Sequence, residues 1–468
     1  MEKYRLERDS VGEMQVPEDA LYGIHALRAN QNFDITGHKM SRTFVKNITL
    51  IKKAAAIVNS EAGFLPKEKA DAIVWACDEI FTGAYRSSFI VDAVQGGAGT
   101  SANMNVNEVV ANLAIVRLGG KPGDYSIVNP NDDVNMAQST NDVIPTAGKL
   151  SVLELSRKLL KNLRSLDEAL LAKAEEFDDV LTMGRTQLQD AVPMRMGQAF
   201  HAFAVAIERD IVRVEHSLIS MRHINMGATA IGTGINTESA YFKGICGKLS
   251  ELFGEELTRS EDLFDGTQNI DGFAEVSGAL KTLAINLSKM CNDLRLLSSG
   301  PCTGLEEIRL PARQNGSSIM PGKVNPVIPE VVNQAAFLAI GHDVTITMAA
   351  EAGQLELNAF EPVVFYQLFE TLSALNGAVK TLTYNCVEGI TVNREHCENL
   401  VQRSVGVVTA LNPYIGYKNA ADIAKESLKT GESVRSIILR KNLMSAEQLD
   451  KVLDPHRLTE PGSGDPVR

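Results

Sequence analysis

Apolar residues recur with alternating steps of three and four over three long segments in the middle of the chain. The segments run from Val152 to Phe177, from Phe200 to Met221 and from Val276 to Leu297. This spacing places an apolar stripe along one face of an α-helix. At about 1.5 Å per residue, runs of roughly 25 residues form rods about 40 Å long, and such rods bury their stripes by bundling. The sequence therefore predicts three long amphipathic helices.

Further apolar residues lie beside the first stripe, at Leu153, Leu160 and Leu171. A long helix with apolar residues on two sides needs packing partners on both sides, and one chain does not supply enough of them. The pattern therefore predicts a homo-oligomer whose core is a shared helix bundle.

The texture of the sequence changes at both ends of this helical region. The predicted domains are an N-terminal domain (1–140), a central helical bundle domain (141–392) and a small C-terminal domain (393–468), the last with brief helices over Ala420–Thr430 and Ser445–Val452 and a tail, Pro461–Arg468, that is expected to fray. Strand-type alternation is weak throughout, so the predicted fold class is all-α with minor β.

The composition argues against several classes of partner. Lys and Arg total 46 against 58 Asp and Glu, so the net charge of −12 gives no attraction to nucleic acid or anionic lipid. The apolar stretches are too short for a membrane span, and the charged N-terminus does not fit a secretory signal, so a cytoplasmic location is expected. Six scattered cysteines are expected to be buried, reduced thiols, and the eight histidines form no zinc-binding pattern, so no site metal is expected.

The most informative polar segment is Arg313–Glu330, RQNGSSIMPGKVNPVIPE, whose glycines and prolines exclude a helix interior. A phosphate loop is disfavoured, because Gly316 and Gly322 are separated by five residues and Lys323 is followed by Val324, not by Ser or Thr. Two interpretations stay open at this point. The segment is either a mobile active-site lid or a surface connection leading into a helix that begins near Pro329.

Three further runs share the same neutral hydrogen-bonding chemistry. They are Gln95–Asn105, Asn135–Thr146 and Gly184–Pro193. Helix capping competes with binding in the first two; in particular, Thr100 or Ser101 could simply be the N-cap of a helix over Asn103–Leu118. None of the runs offers a Ser-His-Asp, Cys-His or paired-carboxylate arrangement. Together, the runs point to the binding of small anions.

A family resemblance joins the four runs. Gly316–Asn325 fits the G-S-x-x-M-P-x-K-x-N signature of the fumarase and aspartase superfamily, and the Gly-Thr-Ser, Gln-Ser-Thr-Asn-Asp and Gly-Arg-Thr-Gln runs follow the order expected of it. The continuation Pro326–Gln334 is similar to the aspartase branch, whereas class II fumarases typically continue with Thr-Gln-Cys-Glu. Gln187 agrees with that branch, because fumarases usually carry His at the matching place.

The resemblance implies a lyase that reversibly deaminates L-aspartate to fumarate and ammonia through an aci-carboxylate intermediate. It implies a three-domain fold, a homotetramer with a twenty-helix central bundle, and active sites assembled from three subunits. No cofactor is implied to be required, and activation by Mg²⁺ is left open. Class II fumarate hydratase and, more distantly, a non-catalytic helical structural protein are the alternatives.

Residue roles are also implied by the resemblance. Ser317 would be the general base on the lid, ionised with the help of neighbouring backbone amides. The implied substrate contacts are Thr100, Ser139, Thr140 and Ser318 to the β-carboxylate, Thr186, Lys323 and Asn325 to the α-carboxylate, and Asn141 and Gln187 near the amino group. Because the net charge is negative, basic residues must make the site locally positive, and Lys323 and Arg28 are the candidates.

Overall fold

The structure is a computed structural model of the chain and describes residues 3–460. Within that range the polypeptide forms sixteen α-helices and eight short strands. The tail that was expected to fray, Pro461–Arg468, lies outside the described residues.

The helices and strands have the following bounds. The helices are α1 (Ile24–Asn32), α2 (Arg42–Glu61), α3 (Lys67–Phe81), α4 (Thr100–Arg117), α5 (Thr140–Glu176), α6 (Met196–Ser217), α7 (Ser239–Phe253), α8 (Asp265–Gln268), α9 (Asp271–Leu297), α10 (Val327–Glu351), α11 (Glu361–Asn385), α12 (Arg394–Arg403), α13 (Asn412–Thr430), α14 (Val434–Arg440), α15 (Ala446–Val452) and α16 (Pro455–Leu458). The strands are β1 (Tyr4–Arg8), β2 (Glu13–Pro17), β3 (Leu181–Thr186), β4 (Gln189–Arg195), β5 (His223–Ile224), β6 (Thr258–Arg259), β7 (Ile308–Arg309) and β8 (Thr391–Val392).

The three predicted long helices are confirmed as α5, α6 and α9. Helix α5 has 37 residues, and the leucines of its predicted stripe, Leu159, Leu163 and Leu166, are fully buried. The second predicted segment ends slightly differently, because Met221 lies beyond α6 in a short 3-10 turn. The apolar stripe thus locates the helices well and their ends less well.

Helices α10 and α11 are two further rods of 25 residues each that the stripe pattern did not predict. In α10, apolar residues surround most of the helix, so no single stripe stands out. The helix begins at Val327, so Pro329 is its third residue rather than its first. Proline is tolerated there because backbone N–H groups in the first turn of a helix have no intrahelical acceptor, so the missing N–H of proline costs no hydrogen bond.

The β structure is limited to pairs of short strands. Each of the four sheets has two strands, ordered β1-β2, β3-β4, β5-β6 and β7-β8. The all-α fold class with minor β is therefore confirmed over the described residues. Among those residues, none of the helices combines the length and apolar character needed to cross a membrane.

The described chain divides into two compact units. The first comprises the residues up to Lys161, Asp210–Ile285 and Ala335–Asn376, and the second comprises Asn162–Arg209, Asn286–Gln334 and the residues from Gly377 onward. The helices α5, α6, α9, α10 and α11 each contribute residues to both units. The three-domain division at residues 140 and 392 stays a prediction.

Each unit has its own packed aromatic residues. In the first, the ring of Phe365 lies 5.4 Å from that of Phe44 and 5.0 Å from that of Phe273. In the second, the rings of Phe177 and Phe200 are 5.3 Å apart and nearly perpendicular. These separations are those of favourable tilted and edge-to-face ring pairs.

Candidate active site

Thr100 begins helix α4 directly after a glycine turn. The residue before the helix is Gly99, whose φ of 83° is left-handed, so the N-cap interpretation of Thr100 and Ser101 is wrong. A Cβ added at Gly99 would lie 2.8 Å from Cγ2 of Ile144, so the turn packs too tightly for a side chain there. The hydroxyl of Thr100 donates to the carbonyl of Gly97 at 2.7 Å. Glycine is therefore required to bring the start of α4 against α5.

The Gln-Ser-Thr-Asn-Asp run forms the start of helix α5. The backbone N–H of Ser139 donates to Oδ1 of Asp142 at 2.9 Å, and Ser139 Oγ accepts from the N–H of Asn141 at 3.2 Å. This reciprocal arrangement is a capping box, with Asp in the place of Glu. The half-buried hydroxyl of Thr140 accepts from Asn103 Nδ2 at 3.4 Å. Capping and a candidate binding surface therefore coexist in this run.

Asp142 connects the start of α5 to a distant glycine-rich loop. The carboxylate is fully buried and also accepts the backbone N–H groups of Gly227 and Thr229, at 3.1 and 3.2 Å. Burial raises the pKa of Asp142 to about 6, whereas these backbone donors oppose the rise. On the same loop, the carbonyl of Ala230 accepts from Asn141 Nδ2 at 2.7 Å. The loop thus fixes the side chain of a predicted substrate contact.

Thr186 and Gln187 lie at the tip of the β3–β4 hairpin. Gln187 and Leu188 form the two-residue turn and have positive φ values of 53° and 61°, which fits the primed turns of tight hairpins. Both predicted contacts are exposed, as expected for a polar insertion between long helices, although the strands themselves were not predicted. Next to the turn, Arg185 forms a 2.5 Å ion pair with the buried carboxylate of Glu307.

The predicted lid is non-helical from Arg313 to Pro326 and folds back on itself. The N–H of Gly316 donates to the carbonyl of Lys323 at 2.8 Å, and Asn325 Nδ2 donates to the carbonyl of Gly316 at 2.9 Å. A Cβ added at Gly316 would lie 2.5 Å from that Lys323 carbonyl oxygen. The two arms of the loop therefore approach so closely that only glycine fits at position 316.

The hydroxyl of Ser317 is surrounded by backbone donors within this loop. Its Oγ accepts the N–H groups of Ile319 and Met320, at 3.2 and 3.1 Å. Successive backbone N–H groups aimed at one oxygen form a nest that favours negative charge on it. Ser318 and Lys323 are exposed beside it. Two such donors favour negative charge on Oγ, which is a property that a serine base would require.

The ten predicted site residues divide between the two compact units. Thr100, Ser139, Thr140 and Asn141 belong to the first unit, and Thr186, Gln187, Ser317, Ser318, Lys323 and Asn325 belong to the second. Asn103, one helical turn after Thr100, links the starts of α4 and α5 through its bond to Thr140. Arg28 adds little positive charge to any site, because Asp9 pairs with it through two hydrogen bonds of 3.0 Å.

Sequence reasoning missed two buried charges next to the first group. Lys52 has no obvious signature in the sequence, because a lysine is almost never fully buried. A less obvious signal was available, because Lys52 shares its helix face with Ile48, Ala55 and Ala56, all of them buried. Asp142 was noted as part of its run, but its contact with a loop 85 residues away has no local signature.

The structure also shows the surroundings of the possible metal ligands and of the six cysteines. Across residues 3–460, no cluster of three or more His, Cys, Asp or Glu side chains has the arrangement of a metal site. All six cysteines are free thiols, but the expectation that they are buried is wrong for Cys302, which is exposed, and only half right for Cys246. Cys302 lies on an irregular surface segment between α9 and the lid.

Comparison with known proteins places the whole chain. A family profile described as "Lyase" matches residues 12–341, and one described as "Fumarase C C-terminus" matches residues 407–460. An aspartate ammonia-lyase from Bacillus subtilis is 49% identical over 460 residues, which cover 98% of this chain and 97% of that protein. The chain therefore belongs to the lyase family of fumarases and aspartases.

Solved structures agree with this assignment. A fumarate lyase:delta crystallin from Brucella melitensis, bound to cobalt, superposes with a TM-score of 0.95 at 47% identity and covers 98% of this chain and 100% of that one. A class II fumarase from Schistosoma mansoni has the same coverage and a TM-score of 0.94, but its identity is 33%. The fold is thus shared by both branches, while the sequence is nearer to the aspartate ammonia-lyase.

Proposed function

We propose that the protein catalyses the reversible deamination of L-aspartate to fumarate and ammonia. The observation that carries this proposal is the oxygen of Ser317, which is held by two backbone N–H groups on a loop bearing Lys323 and Asn325. Near 50% identity to an aspartate ammonia-lyase over almost the whole chain supports the choice of substrate.

In the proposed mechanism, Ser317 removes a proton from the carbon next to the β-carboxylate. The negative charge so formed spreads into that carboxylate, which becomes a dianionic aci-carboxylate. Its stabilisation is assigned to the hydroxyl and amide donors of Thr100, Ser139, Thr140 and Ser318. Donors that are already oriented strengthen their hydrogen bonds as the charge develops, which is commonly the largest catalytic effect.

The other end of the substrate does not change charge, so its contacts orient it. We assign the α-carboxylate to Lys323, Asn325 and Thr186, which offer one cation, one amide and one hydroxyl. The leaving amino group is assigned to Asn141 and Gln187, whose amide oxygens suit an ammonium. No titratable acid is needed at this position, because the leaving group already carries its proton. The proposed reaction therefore uses neither a metal nor an organic cofactor.

We further propose a homotetramer in which each active site takes residues from three subunits. Support comes from α10, where large apolar side chains point away from the rest of the described chain. Val331, Phe337, Leu338, Val344 and Met348 are each between 45% and 66% exposed. Large apolar side chains exposed along one helix mark a surface that another protein covers. In a homo-oligomer, a second copy of the same helix supplies that cover.

A cytoplasmic location is also proposed, because six free thiols suit a reducing compartment. The partners are the small substrates and other copies of the chain. The net charge of −12 supports the expectation that nucleic acid and anionic membranes are not partners.

An absorbance assay tests the reaction directly. Fumarate absorbs in the ultraviolet, so purified protein is given L-aspartate or L-malate in parallel. We expect fumarate to accumulate from L-aspartate at the rate of an ordinary enzyme and little to form from L-malate. Fumarate from L-malate alone would make the protein a fumarate hydratase, and fumarate from neither would favour a structural protein.

A further inference from the structure

Lys52 is a buried cation that has no place in the proposed mechanism. It lies on α2, and its exposed fraction is 0%. Removing an ammonium group from water is costly unless protein acceptors replace the water. A lysine persists in such a position only where the surrounding structure is arranged to accept it.

Three amide oxygens form that arrangement. Lys52 Nζ donates to Oδ1 of Asn103 at 2.7 Å, to Oδ1 of Asn135 at 2.8 Å and to Oε1 of Gln138 at 2.9 Å. An ammonium has three N–H donors, so each one is used. All three acceptors are neutral, and only the protonated amine has the three N–H donors that they bind, so this arrangement is that of the cation.

The ammonium also fixes the direction of the Asn103 amide. Oδ1 of Asn103 accepts from Lys52, so the Nδ2 of the same amide is left to donate elsewhere. It donates to Thr140 Oγ1 at 3.4 Å and to Asn135 Oδ1 at 3.2 Å. Reversing this amide would place its NH₂ against the ammonium and its oxygen against Thr140. The buried cation therefore orients Asn103 so that its Nδ2 donates to the hydroxyl of Thr140. The proton of that hydroxyl is then available to a substrate.

Asp142 is the negative charge that acts most strongly on Lys52. Burial lowers the pKa of Lys52, whereas the charge of Asp142 raises it. Asp142 is itself occupied by the backbone N–H groups of Ser139, Gly227 and Thr229. Lys52 thus binds the segment just before α5 through Asn135 and Gln138, while Asp142 binds the first turn of α5 to the glycine-rich loop.

We propose that Lys52 is a positioning residue that acts through Asn103 to orient Thr140 and to place positive potential behind the β-carboxylate end of the site. The inference rests on the proposed function, in which Thr140 contacts that carboxylate. Charge accumulates there only when the proton has been removed. A fixed cation therefore stabilises the dianionic intermediate more than the bound substrate, and that difference is what accelerates a reaction.

Two variants of Lys52 separate its charge from its hydrogen bonds. Lys52→Met removes both, and Lys52→Gln keeps a donor without the charge. The neighbouring Lys53→Met is the matched control, because Lys53 also lies on α2 but pairs with the surface carboxylate of Asp78 at 2.5 Å. All four proteins are compared at about pH 6, below the pKa of about 7 to which burial lowers Lys52, so that the side chain is charged. Fumarate production from L-aspartate gives kcat and KM.

Binding of two inhibitors supplies a readout that a merely structural role would not change. Succinate resembles the substrate, whereas the preformed nitronate of 3-nitropropionate carries its negative charge where the aci-carboxylate would. We expect Lys52→Met to lower kcat by about tenfold to a hundredfold. The same variant is expected to weaken the nitronate about tenfold or more while changing the affinity for succinate and KM by less than about threefold. Lys52→Gln should lie between Lys52→Met and the wild type, because its amide can still donate to Asn103 but carries no charge.

Several results would overturn the inference. A folded Lys52→Met protein with normal nitronate affinity, or with equal loss of nitronate and succinate, shows that the charge does not act on the intermediate. If neither Lys52 variant yields folded protein, Asn103→Leu decides instead, since it removes the connection and keeps the cation; normal kcat there contradicts the proposal. Failure of the wild type and of Lys53→Met to make fumarate from L-aspartate would instead reject the proposed function.

Discussion

Ser317 combines two properties that an isolated serine lacks. Its oxygen accepts two backbone N–H groups, and the loop that carries it is closed by Gly316, Lys323 and Asn325. An ordinary hydroxyl is far too weak an acid to ionise near neutral pH, so these donors are what would make a serine base feasible.

Ser317→Ala should abolish fumarate production from L-aspartate, with a loss of at least about a thousandfold in kcat, because it removes the proposed general base. The oligomer should stay intact, since the lid is a loop outside the long helices. Turnover is measured by absorbance and assembly by size-exclusion chromatography. Ser126→Ala is the matched control, because Ser126 is exposed and donates only to Asp124. Near-normal turnover of Ser317→Ala would refute the base assignment.

Lys52 gives a separate prediction about stability and pH. Burial lowers its pKa from 10.5 to about 7, so between these values the unfolded chain binds a proton that the folded chain does not. Stability rises with pH wherever the unfolded state binds more protons. The contribution of Lys52 is therefore least favourable below pH 7 and improves up to pH 10.5.

Lys52→Met should remove this contribution. Its free energy of unfolding is expected to rise less than that of the wild type between about pH 7 and about pH 9. Urea denaturation at several pH values measures the slope, and Lys53→Met should keep the slope of the wild type. Equal slopes for wild type and Lys52→Met would mean that the folded and unfolded states bind this proton alike.

At the scale of single elements, the glycine turn before α4 is the most demanding local structure of the candidate site. Gly99 combines a φ of 83° with a close approach to Ile144. Either feature alone disfavours a side chain. Together they fix where α4 begins and so where Thr100 lies.

Gly99→Ala is expected to destabilise the protein by about 2 kcal/mol, because the new Cβ is strained at positive φ and collides with Ile144. The start of α4 must shift to relieve the collision, so kcat should fall as well. Thermal denaturation and the absorbance assay measure the two effects. Gly247→Ala on α7 is the control, since its added Cβ meets no atom within 4 Å. Unchanged stability of Gly99→Ala would show that the turn adapts freely.

The elements also show what the sequence could predict. The long helices α5, α6 and α9 have regular apolar stripes, so their existence was predictable. The β3–β4 hairpin was not, because its turn is Gln187-Leu188 and lacks the glycine or asparagine that usually marks such turns. The partners of Asp142 and Lys52 come from segments distant in the chain, and only the folded structure brings them together.

At the scale of the whole molecule, the predicted site residues are divided between the two compact units, and this division bears on how an active site is assembled. Thr140 lies in the first unit and Ser317 in the second, and the helices that connect the units are long. The proposed tetramer would let the lid of one subunit serve the Thr140 of another. The ten candidate residues lie in motifs that the sequence shows, but their roles and their assembly into one site are implied by the family resemblance and stay predictions.

Mixing inactive variants tests the shared site. Ser317→Ala and Thr140→Val should each be inactive alone, but co-expression should restore a measurable fraction of the activity, because some sites receive both residues in native form. Ser317→Ala with Lys323→Met is the control. Both changes lie on one lid, so each lid carries a defect and activity should stay absent. Lack of recovery in the first pair would place each complete site within a single subunit.

The six thiols of this chain differ widely in their surroundings. Cys302 is exposed on the segment that precedes the lid, whereas burial raises the pKa of Cys386 to about 12 and that of Cys397 to about 11. Alkylating dyes react with thiolates, and buried thiols of high pKa form few of them. A maleimide fluorophore added to the unmodified protein should therefore attach first at Cys302, which labels the segment before the lid without any engineered cysteine.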